Sequence, residues 1–172
     1  MAKILAVFAL VLALPQASVT PKPAVDVTAG DIQATIKKEI ASSTTDTPIR
    51  TIDAGGHNVS IAVVYRPKGA KGTGAAHDKV TEVYTILEGS GTLVTGGTMV
   101  NPERRASTAQ DVTQLSGPGV TATGIQGGVS RRLSKGDMVI IPAGTPHWFS
   151  EVQETLAYTV VRVDPQRVVA LK

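Results

Sequence analysis

Gly136-Asp137-Met138-Val139-Ile140-Ile141-Pro142-Ala143-Gly144-Thr145-Pro146-His147 is the stretch whose reading decides the fold. A glycine turn leads into a short apolar strand, Met138 to Ile141. Pro142, Gly144 and Pro146 then bend the chain sharply, and His147 opens the next strand. A rigid bend ahead of a histidine limits where its ring can point. Alternate residues of a strand share a face, so His147, Phe149 and Glu151 form one set.

Upstream, His77-Asp78-Lys79-Val80-Thr81-Glu82 is followed by Gly89. Glu82, Tyr84 and Ile86 form a second alternating set. If both sets face inward, the imidazoles of His77 and His147 converge with the carboxylate of Glu82. Such nitrogen and oxygen donors suit a divalent metal ion: Mn, Fe, Ni, Cu or Zn. Two histidines and one carboxylate with open positions is the pattern of non-haem iron oxygenases and of some zinc hydrolases. The chain's remaining histidine, His57, follows Gly55-Gly56 and reads as a turn residue.

Outward from these stretches the pattern is β. Val59 to Tyr65, Thr81 to Leu87, Gly91 to Val94, Arg131 to Leu133, His147 to Glu151 and Leu156 to Val163 read as short strands between Gly/Pro turns. Many short strands and little helix predict an all-β sandwich or barrel over residues 48–172. Lys68 to Ala76 reads as an open Gly/Ala segment. Residues 96–128 are polar, rich in small residues and long for a loop; they read as an insertion, with Val112 to Leu115 and Val120 to Ile125 as a candidate added hairpin. Residues 18–47 form an N-terminal linker and helix. The helix is expected over Asp31 to Ile40, with Asp31 as its cap and Ile32, Ile36 and Ile40 on one face.

Residues 1–17 have the layout of a secretory signal peptide: Lys3, an apolar run from Ile4 to Leu14, and a small residue at Ala17. The run is too short for a bilayer, which needs about 20 residues. A secreted or periplasmic protein with no stable membrane span after cleavage is therefore expected. The 172-residue chain has no cysteine, which excludes disulfides, thiolate metal sites and cysteine nucleophiles. A domain of this size buries about 70% of its unfolded surface and needs no such staples. Net charge is +3, but it is scattered, and Arg104-Arg105 and Arg131-Arg132 are pairs rather than a tract. With 3% aromatics there is little to stack bases, so no nucleic-acid partner is expected.

The two histidine stretches resemble the motifs of the cupin superfamily. The second cupin motif reads Gly, five residues, Pro, one residue, Gly, two residues, His, three residues, Asn. It is matched at Gly136, Pro142, Gly144 and His147, with Glu151 in place of the Asn. The first motif reads His-x-His, three or four residues, Glu, six residues, Gly. It is matched at His77, Glu82 and Gly89, with Ala75 where the first His would stand. The resemblance covers roughly Val59 to Val163 and implies a small antiparallel jelly-roll barrel. It also implies a metal held by His77, Glu82 and His147, one ligand short of the family's three His and one Glu. Asp78 is a substitute ligand that strand parity disfavours.

Cupins include dioxygenases, decarboxylases, isomerases and lyases, so the fold does not choose a reaction. The expectation is a barrel that binds a metal and acts on or binds a small organic molecule. The alternative is a metal-free or non-catalytic small-ligand-binding cupin. Tyr84 and Glu151 are the candidate proton-handling catalytic groups, against the plainer readings of a barrel-lining aromatic and an exposed strand end. Arg162 either faces inward to an acidic ligand or lies on the surface. The resemblance also implies a homodimer, with Trp148 and the apolar Val168 to Leu171 as the chain's own support. Asn58-Val59-Ser60 matches a glycosylation acceptor and reads as incidental inside a strand.

Overall fold

The structure is a computed structural model that describes residues 23–172. The predicted signal peptide, 1–17, lies outside the described residues. One helix, α1 (Ala29–Ser42), precedes the strands. They run β1 (Asp46–Asp53), β2 (Asn58–Arg66), β3 (Gly74–His77), β4 (Thr81–Glu88), β5 (Ser90–Thr95), β6 (Thr98–Val100) and β7 (Glu103–Arg104). After a π-helical turn, Val112–Ser116, follow β8 (Gly119–Ala122), β9 (Gly124–Gln126), β10 (Val129–Ser134), β11 (Met138–Ile141), β12 (His147–Val152) and β13 (Leu156–Asp164).

The strands form a five-stranded sheet, β1-β2-β13-β4-β11, a six-stranded sheet, β10-β5-β12-β3-β8-β7, and the small pair β6-β9. Every described pairing is antiparallel. Inward side chains of the two large sheets make one core. Val64, Ile86, Ile141 and Val160 come from the first, and Leu93, Leu133, Phe149 and Val152 from the second. This is the expected jelly roll, built by period-2 alternation: β4 buries Glu82, Tyr84 and Ile86 and leaves the residues between them less covered.

Three sequence expectations change. First, α1 begins earlier, and its cap is Thr28 rather than Asp31. Thr28 Oγ1 accepts from the Asp31 backbone N–H (3.1 Å), and the Asp31 carboxylate accepts from the Thr28 backbone N–H (2.9 Å), a reciprocal capping box. Its inward residue is Glu39, 1% exposed, whereas Ile40 is 53% exposed. Second, the insertion holds no hairpin of Val112–Leu115 with Val120–Ile125. The first piece is the π-helical turn; the second splits into β8, paired with β3 and β7, and β9, paired with β6. Third, the Gly/Ala segment ends in a true strand, β3. Small residues there let β8 approach closely: a Cβ at Gly119 would run into the Ala76 carbonyl oxygen and the Arg105 guanidinium.

Glu39 has a measurable consequence. Neither of its carboxylate oxygens makes a full hydrogen bond. Burial pushes its carboxyl up from 4.5 to about 7, and Thr47 and the Tyr65 backbone oppose this only in part. Between those values the folded chain holds a proton that the unfolded chain releases. Stability contributed by the neutral carboxyl is therefore full below pH 4.5 and lost as pH rises through about 7. Glu39→Gln is expected to flatten that dependence and to gain roughly 1–2 kcal/mol at pH 8. Urea melts at pH 5 and pH 8 check this; a variant that tracks the parent at both would refute it.

Candidate metal centre and chamber

Three strands bring the motif residues together. His77 ends β3, Glu82 lies second in β4, and His147 opens β12. The bend before His147 also fastens the other histidine, since the Gly144 N–H donates to the His77 carbonyl at 2.6 Å. The ligand atoms of His77, Glu82 and His147 all lie within 4.8 Å of one another, and all three residues are buried. This His/Glu/His group can hold a metal ion.

The donor chemistry can be followed atom by atom. His147 Nδ1 lies 3.0 Å from the Thr145 carbonyl, which only accepts, so Nδ1 carries the ring proton and Nε2 offers a lone pair. Burial lowers His147 to about 4 against the pull of Glu82, so the ring is neutral at pH 7. Its Nε2 lies 3.3 Å from Glu82 Oε2. Burial alone would raise the Glu82 carboxyl, but Arg162 and then the two histidines hold it well below the usual carboxylate range. A bare imidazole nitrogen and a carboxylate oxygen of two buried side chains thus face each other, two acceptors with no proton between them. A cation relieves that opposition, and on this observation the residues fit a metal.

His77 is engaged differently. Its Nδ1 lies 2.7 Å from Arg105 Nη2. A guanidinium only donates, so Nδ1 accepts and the proton sits on Nε2, 3.5 Å from Glu82 Oε1. For His77 to hold an ion through Nε2, that proton would have to sit on Nδ1, at the expense of the Arg105 contact. Arg105 is further held by Asp111 (3.2 Å) and Ser116 (2.8 Å).

Arg162 faces inward and is 3% exposed. Its Nε donates to Glu82 Oε1 at 2.7 Å, and its Nη atoms reach both oxygens of Asp46, at 3.3 and 2.6 Å. Burial opposes its charge, but Asp46 and Glu82 outweigh this and raise its pKa further. It therefore holds Glu82 rather than waiting for a ligand. The Tyr84 hydroxyl donates to Glu82 Oε2 at 2.8 Å. Burial and then Glu82 push Tyr84 well above the ordinary phenol value, so it stays protonated and orients the carboxylate.

Glu151 does not share the inward face of His147. A β-bulge between Phe149 and Glu151 shifts the register of β12 on β5, so Val152 turns inward and Glu151 is exposed, accepting from Gln153 at 3.0 Å. Asp78 does not replace the missing ligand; it pairs with Arg104 at 2.6 Å. Ala75, at the missing histidine's position, lines the chamber with His77. His57 lies in the turn before β2, where its carbonyl accepts from Ala54 N–H. Asn58 is buried and donates to the Val169 carbonyl, so its acceptor pattern is incidental. Trp148 is not an open surface residue: its Nε1 donates to the Gly72 carbonyl at 2.9 Å and it lines the chamber. Val169 is likewise buried within the chain.

Asp46, Arg66 and Arg105 went unread in the sequence. Asp46 lies at the end of the 18–47 segment, Arg66 directly after the predicted strand Val59 to Tyr65, and Arg105 in the insertion, where it reads only as one of a scattered pair; no local pattern marks any of them as a site residue. All three line the chamber, a cavity of about 180 Å³. A wider cleft of about 760 Å³ opens beside it and shares Asp46, Asp111 and Leu115 with it.

No curated protein matches the chain. Among solved structures it is similar to a Bacillus halodurans protein at 16% identity and TM-score 0.45, over 86% of this chain and 85% of that one. It is similar to the cupin domain of Schizosaccharomyces pombe Cnp3 at 12% identity and TM-score 0.43, over 66% of this chain and 61% of that one. It is also similar to oxalate oxidase at 24% identity and TM-score 0.38, over 62% of this chain and 41% of that one. The family model for Cupin matches residues 30–171, a span that takes in both motifs and every strand described above, and the chain belongs to the cupin family.

Proposed function

We propose that this cupin holds one divalent ion (Mn, Fe, Ni, Cu or Zn) at His77, Glu82 and His147, and binds or acts on a small organic molecule in the chamber beside it. The observation that supports this reading is the opposed pair His147 Nε2 and Glu82 Oε2 at 3.3 Å. An ion at such a site polarises a bound carbonyl or lowers the pKa of bound water. The protein's own part is to hold Glu82 with Arg162 and Tyr84, to fix the His147 ring through Thr145, and to limit water with the aromatic walls of Tyr84, Trp148 and Phe149.

Elemental analysis after incubation with each of the five metals tests it. About one ion per chain is expected, lost in both His77→Ala and His147→Ala. The second reading, a metal-free binding barrel, is favoured by the Arg105 contact to His77 Nδ1; it prevails if no metal is retained.

The N-terminal sequence supports export to the periplasm or beyond, which the N-terminal residue of protein recovered from those fractions tests. A homodimer is supported by Met138 and Ile140, 65% and 68% exposed on β11 at the edge of the five-stranded sheet. Light scattering that gives a monomer mass would remove it.

A further inference from the structure

Arg66 is a chamber-lining cation that the network around Glu82 does not use. Its Nε donates to the Tyr158 hydroxyl at 3.2 Å, and its guanidinium lies 5.9 Å from the Phe149 ring centroid. Of the three carboxylates that line the chamber, Asp46 and Glu82 turn to Arg162, and Asp111 turns to Arg105. Among the described residues no carboxylate forms an ion pair with Arg66, and neither Nη nitrogen donates to any group or is sealed from solvent. A side chain at Gly72 would crowd Nη1, at 3.2 Å, so that glycine keeps room for the guanidinium.

An arginine anchored through Nε and packed on a ring leaves its Nη edge pre-set. That edge matches the two oxygens of a carboxylate. The positive charge is held partly out of water without a contacting anion, a cost that an anionic ligand removes. Tyr84, Trp148, Phe149 and Tyr158 supply apolar wall for a short organic body. The cavity, about 180 Å³, is smaller than the roughly 300–1,000 Å³ usual for drug-sized ligands, and so suits a short organic body.

We propose that Arg66 is the anchoring residue for the ligand of this chamber, and that the ligand is a small organic carboxylate. This rests on the chamber being the ligand site; it does not require that a metal be held.

The test is calorimetric titration of the chelator-treated protein in Tris buffer, repeated with Zn added. The probes are acetate, succinate and benzoate, their neutral amides, and inorganic phosphate. At least one carboxylate is expected to bind at one site per chain roughly tenfold or more tighter than its amide, as loss of a hydrogen-bonded charge implies. Phosphate, with tetrahedral oxygens, is expected to bind more weakly. Arg66→Gln is expected to abolish carboxylate binding, and Arg66→Lys to retain part of it. Arg66→Gln should keep the metal content of the parent, which separates this proposal from the metal reading.

Equal binding of acid and amide would overturn the proposal, as would binding unchanged in Arg66→Gln, phosphate as tight as the best carboxylate, or no carboxylate binding at all. If Arg66→Gln does not fold, Tyr158→Phe decides. It keeps the charge and frees Nε, so several-fold weaker binding supports the assignment and unchanged binding overturns it.

Discussion

Ala75→His is expected to tighten metal binding roughly 100-fold, the largest gain any single substitution in this chain should give. Ala75 and His77 alternate on β3 and both line the chamber. Ala75 pairs with His147 across the β3–β12 ladder, so a ring built there starts beside an existing ligand. The present group offers three donors, and a fourth, the new imidazole, closes the coordination that structural sites show. Groups that merely orient a ligand are worth 10–100-fold in affinity, and a direct donor should reach the upper end. The measurement is competition with a chelator of known affinity, for parent and variant, with Zn and with Mn. The same experiment carries a cost to read alongside it: a filled fourth position leaves fewer for substrate, so any turnover should fall as affinity rises. An affinity within threefold of the parent would mean that the ion, if bound, does not sit among these three residues.

That variant can be designed from the sequence, which shows how far the sequence goes. The motif spacing located His77, Glu82 and His147, because glycine turns and strand alternation are local and leave few ways to place those side chains. Tyr84 followed from the same alternation. Glu151 did not, since a single extra residue in β12 reverses parity and nothing in Phe149-Ser150-Glu151 announces a bulge. Helix α1 was visible by its periodicity, but its buried residue is charged, and a hydrophobic pattern cannot point to Glu39. The larger gap is the arginine network. Arg162 reaches Asp46 across 116 positions, and Arg105 reaches His77 across 28. Such pairs depend on how β1 and β2 lie beside β13 and on how the insertion folds back through β8, which only the assembled sheets determine. A reading of motifs alone therefore finds the donors and misses the cations that orient and compete for them.

Those cations support the second large prediction. Arg162→Met is expected to destabilise the protein by about 3–5 kcal/mol, the range for removing one partner of a buried ion pair. The substitution nearly preserves volume, so packing contributes little. What it removes is the bond to Glu82 at 2.7 Å and the pair of bonds to Asp46, while Glu82 remains 1% exposed. A purely structural loss and a charge-driven loss separate in the double variant. Arg162→Met with Glu82→Gln leaves no uncompensated buried charge from the pair and should recover more than half of the loss. Arg162→Met with Asp46→Asn should recover less, because Asp46 is partly exposed and water can solvate it. Urea denaturation of the parent, the single variants and both doubles gives the coupling energies directly. If the doubles are as unstable as the sum of their parts, Arg162 acts as a spacer rather than as the counter-charge of Glu82. The same series then answers a functional question. With Arg162 gone, Glu82 Oε1 faces only the His77 ring, at 3.5 Å, and is open to an ion, while Oε2 keeps the Tyr84 hydroxyl. Added Zn should therefore restore stability to Arg162→Met more strongly than it stabilises the parent, as a cation takes over the charge that the guanidinium supplied.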